Sequence, residues 1–235
     1  MARALAAYAG GDEGATLTVH TDEGDTDSMP VSLFFRSRED LRDVDREALA
    51  LARGRVLDVG AGVGSLSLVL QDRGLSVTAI EVIPEAVEIM TRRGVRDARL
   101  GRVQELGSSQ DFDTVLMLMN GTALAGTRAG LLPLLRTVEE LLASGGQILM
   151  DSTDLTEGGG NEEGDGTEDE NGSQGELHYQ LEFQGERGAP FPQLFLDPLT
   201  LETMVLEGGW RMELVWQGDS GEYLSRLTRG ENDSG

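Results

Sequence analysis

The sequence predicts an α/β fold built on a mostly parallel sheet with helices on both faces. Short apolar runs of strand length alternate with segments of helical period from Arg55 to Asp151. The runs are almost continuously apolar, as in strands buried on both sides. One of them, Val56-Leu57-Asp58-Val59, runs into glycines at alternate positions, Gly60, Gly62 and Gly64, a turn that leads from strand to helix.

Each element follows from local pattern. Residues 1–9 read as a short helix and 15–20 as an alternating strand. The acidic stretch Thr21 to Ser28 reads as a loop. Arg38 to Arg53 is predicted helical, with Leu41, Val44, Ala48 and Leu49 on one stripe and Gly54 as its stop. The sheet begins at Arg55–Val59. A helix over Ser65–Asp72, closed by Gly74, leads to a second strand, Leu75–Ile80. Pro84 suits the first position of the next helix, which Gly94 ends. Ala98–Leu100 is a short third strand, Phe112–Met119 a fourth, and Gly145–Asp151 a fifth, preceded by a helix over Leu131–Leu142.

Residues 155–175 hold Leu155 as their only apolar member and read as an acidic, flexible insertion. Beyond it, Leu177–Phe183 alternates like a strand, with 193–196 as its partner. A helix over Leu199–Leu206 precedes two last strands, Trp210–Trp216 and Glu222–Thr228. The chain reads as one domain, with 1–37 as an N-terminal extension or cap and 230–235 as a tail.

Composition narrows the function. The 235 residues suit one sizeable core. Net charge is −23, and all 19 basic residues are arginine. Such a surface repels polyanions, which argues against nucleic acid as a partner. No apolar run approaches the roughly 20 residues of a membrane span, and no signal peptide is evident. A cytoplasmic protein is expected. With no cysteine, disulfides, thiolate metal sites and cysteine nucleophiles are excluded; with His20 and His178 far apart, no metal site is expected. The acidic, lysine-free composition suits a salt-rich, halophilic cytoplasm, or equally a genome that favours arginine codons.

The glycine loop carries the chemistry. A dinucleotide site wants G-x-G-x-x-G without a charge ahead of it, because the pyrophosphate is anionic. Here the spacing is G-x-G-x-G, and Asp58 precedes it. An anion there repels pyrophosphate but attracts the ammonium of a methionyl group. Spacing and acid together favour S-adenosylmethionine. Glu81 follows the second strand, about 20 residues after the loop, where an acid can bond both ribose hydroxyls or lead the helix at Pro84. Asn120 closes the fourth strand as a site residue or as a turn residue tolerating positive φ. Asp151, Ser152 and Asp154 follow the fifth strand and either line an acceptor pocket or cap backbone groups.

These residues resemble the class I S-adenosylmethionine-dependent methyltransferases, whose first motif is an acid followed by G-x-G-x-G and whose second strand ends in Asp or Glu. Phe34-Phe35-Arg36, the run Met119 to Gly126 and the run Gly146 to Asp154 resemble a little-characterised bacterial branch of that superfamily. The resemblance implies a three-layer Rossmann-like methyltransferase fold, its seven-stranded, mostly parallel sheet closed by an antiparallel last strand. It implies that Asp58, Gly60, Ala61, Gly62 and Gly64 contact the methionyl part and ribose. Glu81 would hold the ribose, and Val82 would flank the adenine. Many members carry Gly-Asp-Ala after the third strand; here Gly101-Arg102-Val103 stands in its place, so adenine relies on backbone near Val103 or on Gln104. Met119 and Asn120 would face the methyl group. Asn120, Asp151 and Asp154 are the candidate catalytic groups. The acceptor pocket would be built from the N-terminal segment, Met119 to Gly126, and the hairpin at 176–196, with Phe34, Phe35, Phe191, Pro192 and Phe195 as an apolar wall or as core. The function implied is methyl transfer to a small-molecule acceptor. The alternatives are a non-catalytic cofactor-binding protein and a nicotinamide-dependent oxidoreductase, against which the glycine spacing and Asp58 count. Whether the chain is a monomer or a homodimer does not follow from its sequence.

Overall fold

The computed structural model describes residues 1–108, 111–155 and 175–230. The expected insertion and tail therefore lie outside the described residues, apart from Leu155, Gly175 and Gly230. The chain opens with α1 (Ala2–Ala9), β1 (Thr16–Thr21), β2 (Thr26–Pro30) and α2 (Asp43–Leu51). An alternating series follows: β3 (Arg55–Val59), α3 (Ser65–Asp72), β4 (Ser76–Glu81), α4 (Pro84–Arg93) and β5 (Asp97–Leu100), then β6 (Phe112–Met117), α5 (Arg128–Glu139) and β7 (Leu142–Thr153). Last come β8 (Glu176–Phe183), β9 (Glu186–Arg187), β10 (Phe191–Leu194), α6 (Pro198–Glu207), β11 (Trp210–Gln217) and β12 (Glu222–Arg229).

Seven strands form the main sheet in the order β11-β12-β7-β6-β3-β4-β5. The strands β3 to β7 run parallel, and the last strand, β12, is antiparallel to both neighbours, as expected. The pleat sends successive side chains to opposite faces. Leu57, Val115 and Ile148 thus enter the core that α5 and α6 cover, while Val56, Leu116 and Leu149 enter the one under α2 and α3. Two buried layers explain why these strands read as unbroken apolar runs.

Several boundaries differ from the sequence expectation, four of them for a clear local reason. The helix expected from Arg38 starts at Asp43, because the Asp45 carboxylate takes the Arg42 backbone N–H and fixes the first turn there. The fourth strand stops at Met117 and not at Met119, because Met119 and Asn120 adopt positive φ. The helix expected at Leu131 begins at Arg128, where the Thr127 hydroxyl accepts the Gly130 amide. The stretch Thr21 to Ser28, expected as loop, carries the start of β2; its exposed, polar edge gives no alternation to read.

The expectation also missed a second sheet. It has the order β10-β8-β1-β2, with β9 on β8, and all pairs are antiparallel. Val19 of β1 lies opposite Leu181 of β8. The N-terminal segment and the hairpin at 176–196 are therefore one unit. Its core, with Leu5, Leu17 and Leu181, packs on Ala86 and Ile89 of α4 and on Val63 of the glycine loop.

Candidate functional site

A cavity of about 360 Å³ opens between the carboxyl ends of β3, β4 and β6 and the second sheet. That is within the range of small-molecule sites, and it is the edge at which open α/β sheets bind ligands. The glycine loop forms its floor. Gly60 and Ala61 donate their amides to the Ile80 carbonyl, at 2.9 and 3.1 Å, so the loop is laced to the end of β4. Gly62 has φ +57°, and a Cβ there would meet no protein atom within 4 Å, only the cavity. Gly64 has φ +79° and serves packing instead, since a Cβ there would come within 2.6 Å of Val95. Gly64 lets α3 pack; it does not line the cavity.

Two buried carboxylates face this space. Asp58, next to the end of β3, is buried and accepts a 2.6 Å hydrogen bond from the Ser67 hydroxyl. Among the described residues it has no cationic partner within ion-pair distance. Burial, with the nearby charges of Glu81 and Asp45, pushes its pKa up to about 6 against the bond from Ser67. Glu81 ends β4. One of its oxygens accepts the Gly62 amide at 3.0 Å; the other accepts the amides of Val82 and Ile83, at 2.7 and 3.0 Å. A carboxylate has room for about four hydrogens, so Glu81 can take one more.

Sequence reasoning missed a third ionic group. Arg36 lines the cavity with its side chain 7% exposed. Its Nη2 lies 3.2 Å from Asp45, but its Nε is buried with no hydrogen-bond partner. A buried, unmatched N–H is costly and leaves this guanidinium short of partners. The segment is fixed by Ser65, whose hydroxyl donates to the Phe34 carbonyl at 2.7 Å. No local signal sets Arg36 apart from the other arginines; only its burial does.

The adenine-side residues expected from sequence are brought together. Val82, Val103 and Gln104 all line the cavity. Val82 is 53% exposed, an apolar surface open to the space beside Glu81. Gly101 and Arg102 line it too, where the Glu105 carboxylate accepts the Arg102 amide at 3.1 Å.

Across the cavity stand Met119 and Asn120, with φ +67° and +62°. Asn120 tolerates this conformation, but Met119 does so at a cost and needs external support. Asp151 supplies it by accepting the Met119 amide at 3.1 Å and the Gly121 amide at 2.8 Å. Asp151 itself is buried behind the wall, and Asp154 is likewise outside it. The Asn120 amide group donates to Gln193 Oε1 and the Leu194 carbonyl, at 3.3 and 3.2 Å, and its oxygen accepts from Thr122 and Ser152. Asn120 thus ties the turn to β10. The tolerance of positive φ read from its sequence is what the backbone uses. Leu5, Phe34, Leu124 and Gln193 complete this end. Phe35, Phe191 and Phe195 pack instead on Tyr8 and Tyr179, the core reading of these residues, and Pro192 lies against Gly126.

A family model described as a methyltransferase domain matches residues 35–196. Among solved structures, the chain is similar to a SAM-dependent methyltransferase from Bacteroides fragilis in complex with S-adenosyl-L-homocysteine. Identity is 36%, over 97% of this chain and 94% of that one, with a TM-score of 0.85. The CcbJ methyltransferase from Streptomyces caelestis shares the fold at a TM-score of 0.60 and 16% identity, covering 81% of this chain and 97% of its own. Among curated proteins, a ubiquinone biosynthesis O-methyltransferase of Xanthomonas oryzae pv. oryzae is 32% identical over 46% of each chain. An uncharacterized methyltransferase of Staphylococcus carnosus is 34% identical over 30% of this chain and 34% of its own. The chain spans less than half the length of these curated relatives.

Proposed function

The chain belongs to the S-adenosylmethionine-dependent methyltransferases, and on that premise we propose that it transfers the methyl group of S-adenosylmethionine to a small molecule in the cytoplasm. The observation that carries the reading is the convergence of Asp58, Glu81 and Arg36 on one cavity floored by glycine backbone. The three buried groups match the three polar parts of the cofactor. Asp58, a buried acid lacking a cation, takes the methionyl ammonium. Arg36, whose guanidinium lines the cavity, takes the methionyl carboxylate. Glu81 accepts from one ribose hydroxyl, and Gly60, Ala61 and Gly62 let the backbone approach. Val82 covers one face of the adenine, with Val103 and Gln104 at its edge.

Bound cofactor supplies an electrophilic methyl on a sulfonium. The residues of this chain bind, orient and exclude water. Positioning is the main lever for an in-line displacement, because a well-aligned acceptor gains much of its rate from orientation alone. The ionisable side chains of the wall are Arg36, Asp58, Glu81 and Arg102, and none lies on the Met119–Leu124 side. Asp151 is spent on two backbone amides and an arginine. The reading therefore has the acceptor arrive with a free lone pair, its proton lost to solvent and not to a side-chain base. Nucleic acid is an unsuitable acceptor for a chain of charge −23. The same charge fits a protein working in concentrated salt. The test is to incubate the protein with methyl-labelled cofactor and an extract of small metabolites. Label moving into a small product supports the reading. Label remaining on the cofactor, in a protein shown to bind it, overturns it.

A further inference from the structure

The two walls of the cavity are joined, outside it, by a chain of alternating charges. Arg36 lines the floor and reaches Asp45, which is fully buried. Arg42 clasps both Asp45 oxygens, Nη2 to Oδ1 at 2.7 Å and Nε to Oδ2 at 3.1 Å. The same guanidinium reaches Asp151 at 3.2 Å and Glu222 at 3.1 Å. Asp151 then accepts the amides of Met119 and Gly121 on the far wall. Arg42 thus binds carboxylates from the start of α2, from β7 and from β12, and lines no part of the cavity itself. Burial works against its charge, but the three carboxylates outweigh that and raise its pKa.

Asp45 is shared between Arg36 and Arg42, and Asp151 between Arg42 and two backbone amides, so a change at one end shifts the other. An anion arriving at Arg36 draws that guanidinium from Asp45. Asp45 then relies more on Arg42, Arg42 gives less to Asp151, and Asp151 holds the Met119 and Gly121 amides more strongly. We propose that Arg42, Asp45 and Asp151 are positioning residues, through which the amino-acid end of the cofactor fixes the Met119–Gly121 turn that faces the acceptor. The proposal rests on the cofactor reading above. It goes beyond it by making the turn respond to the methionyl carboxylate and not to the adenosine. Coupling of this kind travels through contiguous hydrogen-bonded networks.

Hydrogen exchange of the Met119 and Gly121 amides tests it, with two probes. S-adenosylhomocysteine carries the amino-acid end; 5′-methylthioadenosine has the adenosine and sulfur without it. In the unaltered protein at saturation, the first is expected to slow exchange at these amides at least fivefold more than the second. In Arg42→Gln that difference disappears. Arg42→Gln also weakens S-adenosylhomocysteine at least tenfold while leaving methylthioadenosine within twofold, a split that general destabilisation does not produce. Equal protection by both probes in the unaltered protein overturns the proposal even if the variant does not fold. Equal weakening of both probes in a folded variant overturns it too. Failure of either probe to bind the unaltered protein defeats the underlying cofactor reading instead.

Discussion

The Glu81 carboxylate accepts the backbone amide of Gly62 at 3.0 Å, tying the end of β4 to the glycine loop after β3. One side chain thus shapes both halves of the proposed cofactor site before any ligand arrives. Glu81→Gln keeps the size but replaces one acceptor oxygen by a donor, which leaves either Gly62 or the Val82 and Ile83 amides facing an NH₂ group. Losing such a bond to a charged acceptor costs about 1.5–3 kcal/mol. Affinity for S-adenosylhomocysteine, measured by calorimetry, is expected to fall roughly 10- to 100-fold.

Asp58 gives a pH dependence with a definite sign. Its folded pKa is raised to about 6 from 3.8, so the folded state holds this proton more tightly than the unfolded one. Stability from this group therefore falls as pH rises from about 4 to about 6, and the whole penalty, on the order of 3 kcal/mol, stands above 6. A bound ammonium favours the ionised form. Cofactor affinity is expected to rise with pH through this window and then level off, with proton release on binding near pH 6. Calorimetry in two buffers of different ionisation enthalpy measures that release directly.

Removing the same charge separates stability from function. Asp58→Asn keeps an acceptor for Ser67 and abolishes the buried charge. The ligand-free protein at pH 7.5 is expected to gain on the order of 1–3 kcal/mol, seen as a higher unfolding midpoint. Cofactor affinity is expected to fall roughly 10- to 100-fold. A variant that loses stability together with affinity would argue that Asp58 is structural.

The glycines divide in the same way. In Gly64→Ala the new Cβ falls 2.6 Å from Val95 and 2.8 Å from Met90, at φ +79°. Left-handed strain and overpacking together cost about 2–5 kcal/mol. Chemical denaturation checks this. At Gly62 a side chain enters open cavity, so a substitution there is expected to block ligand while costing only about 1–2 kcal/mol for its backbone conformation.

The acidic surface leads to a salt dependence. Screening of the −23 net charge is expected to raise the unfolding midpoint between low salt and molar potassium chloride. A midpoint that stays flat would sink the salt-adaptation reading.

How much of this was legible depended on how local each signal is. The run Val56 to Gly64 and the acid at Glu81 are read directly, because a strand, a tight turn and a helix start are written in consecutive residues. The pairing of β1 with β8 was not legible, since Val19 and Leu181 meet across most of the chain and neither segment names its partner. Leu118 and Met119 extended the apparent fourth strand because their apolarity serves a core and a cavity wall instead. Arg36 appeared only as part of a likeness, Phe34-Phe35-Arg36. Its place in the cavity wall beside Asp45 is a property of burial and not of spacing.

The cavity over the glycine loop is proposed to hold S-adenosylmethionine. Calorimetric titration of S-adenosylmethionine and S-adenosylhomocysteine into the protein in high-salt buffer, beside Gly62→Arg, tests it most directly. The account predicts affinity on the order of micromolar, about −8 kcal/mol, for the unaltered protein, and its loss in a variant that still unfolds cooperatively. No heat from either ligand in a folded protein, or equal binding by Gly62→Arg, would contradict it.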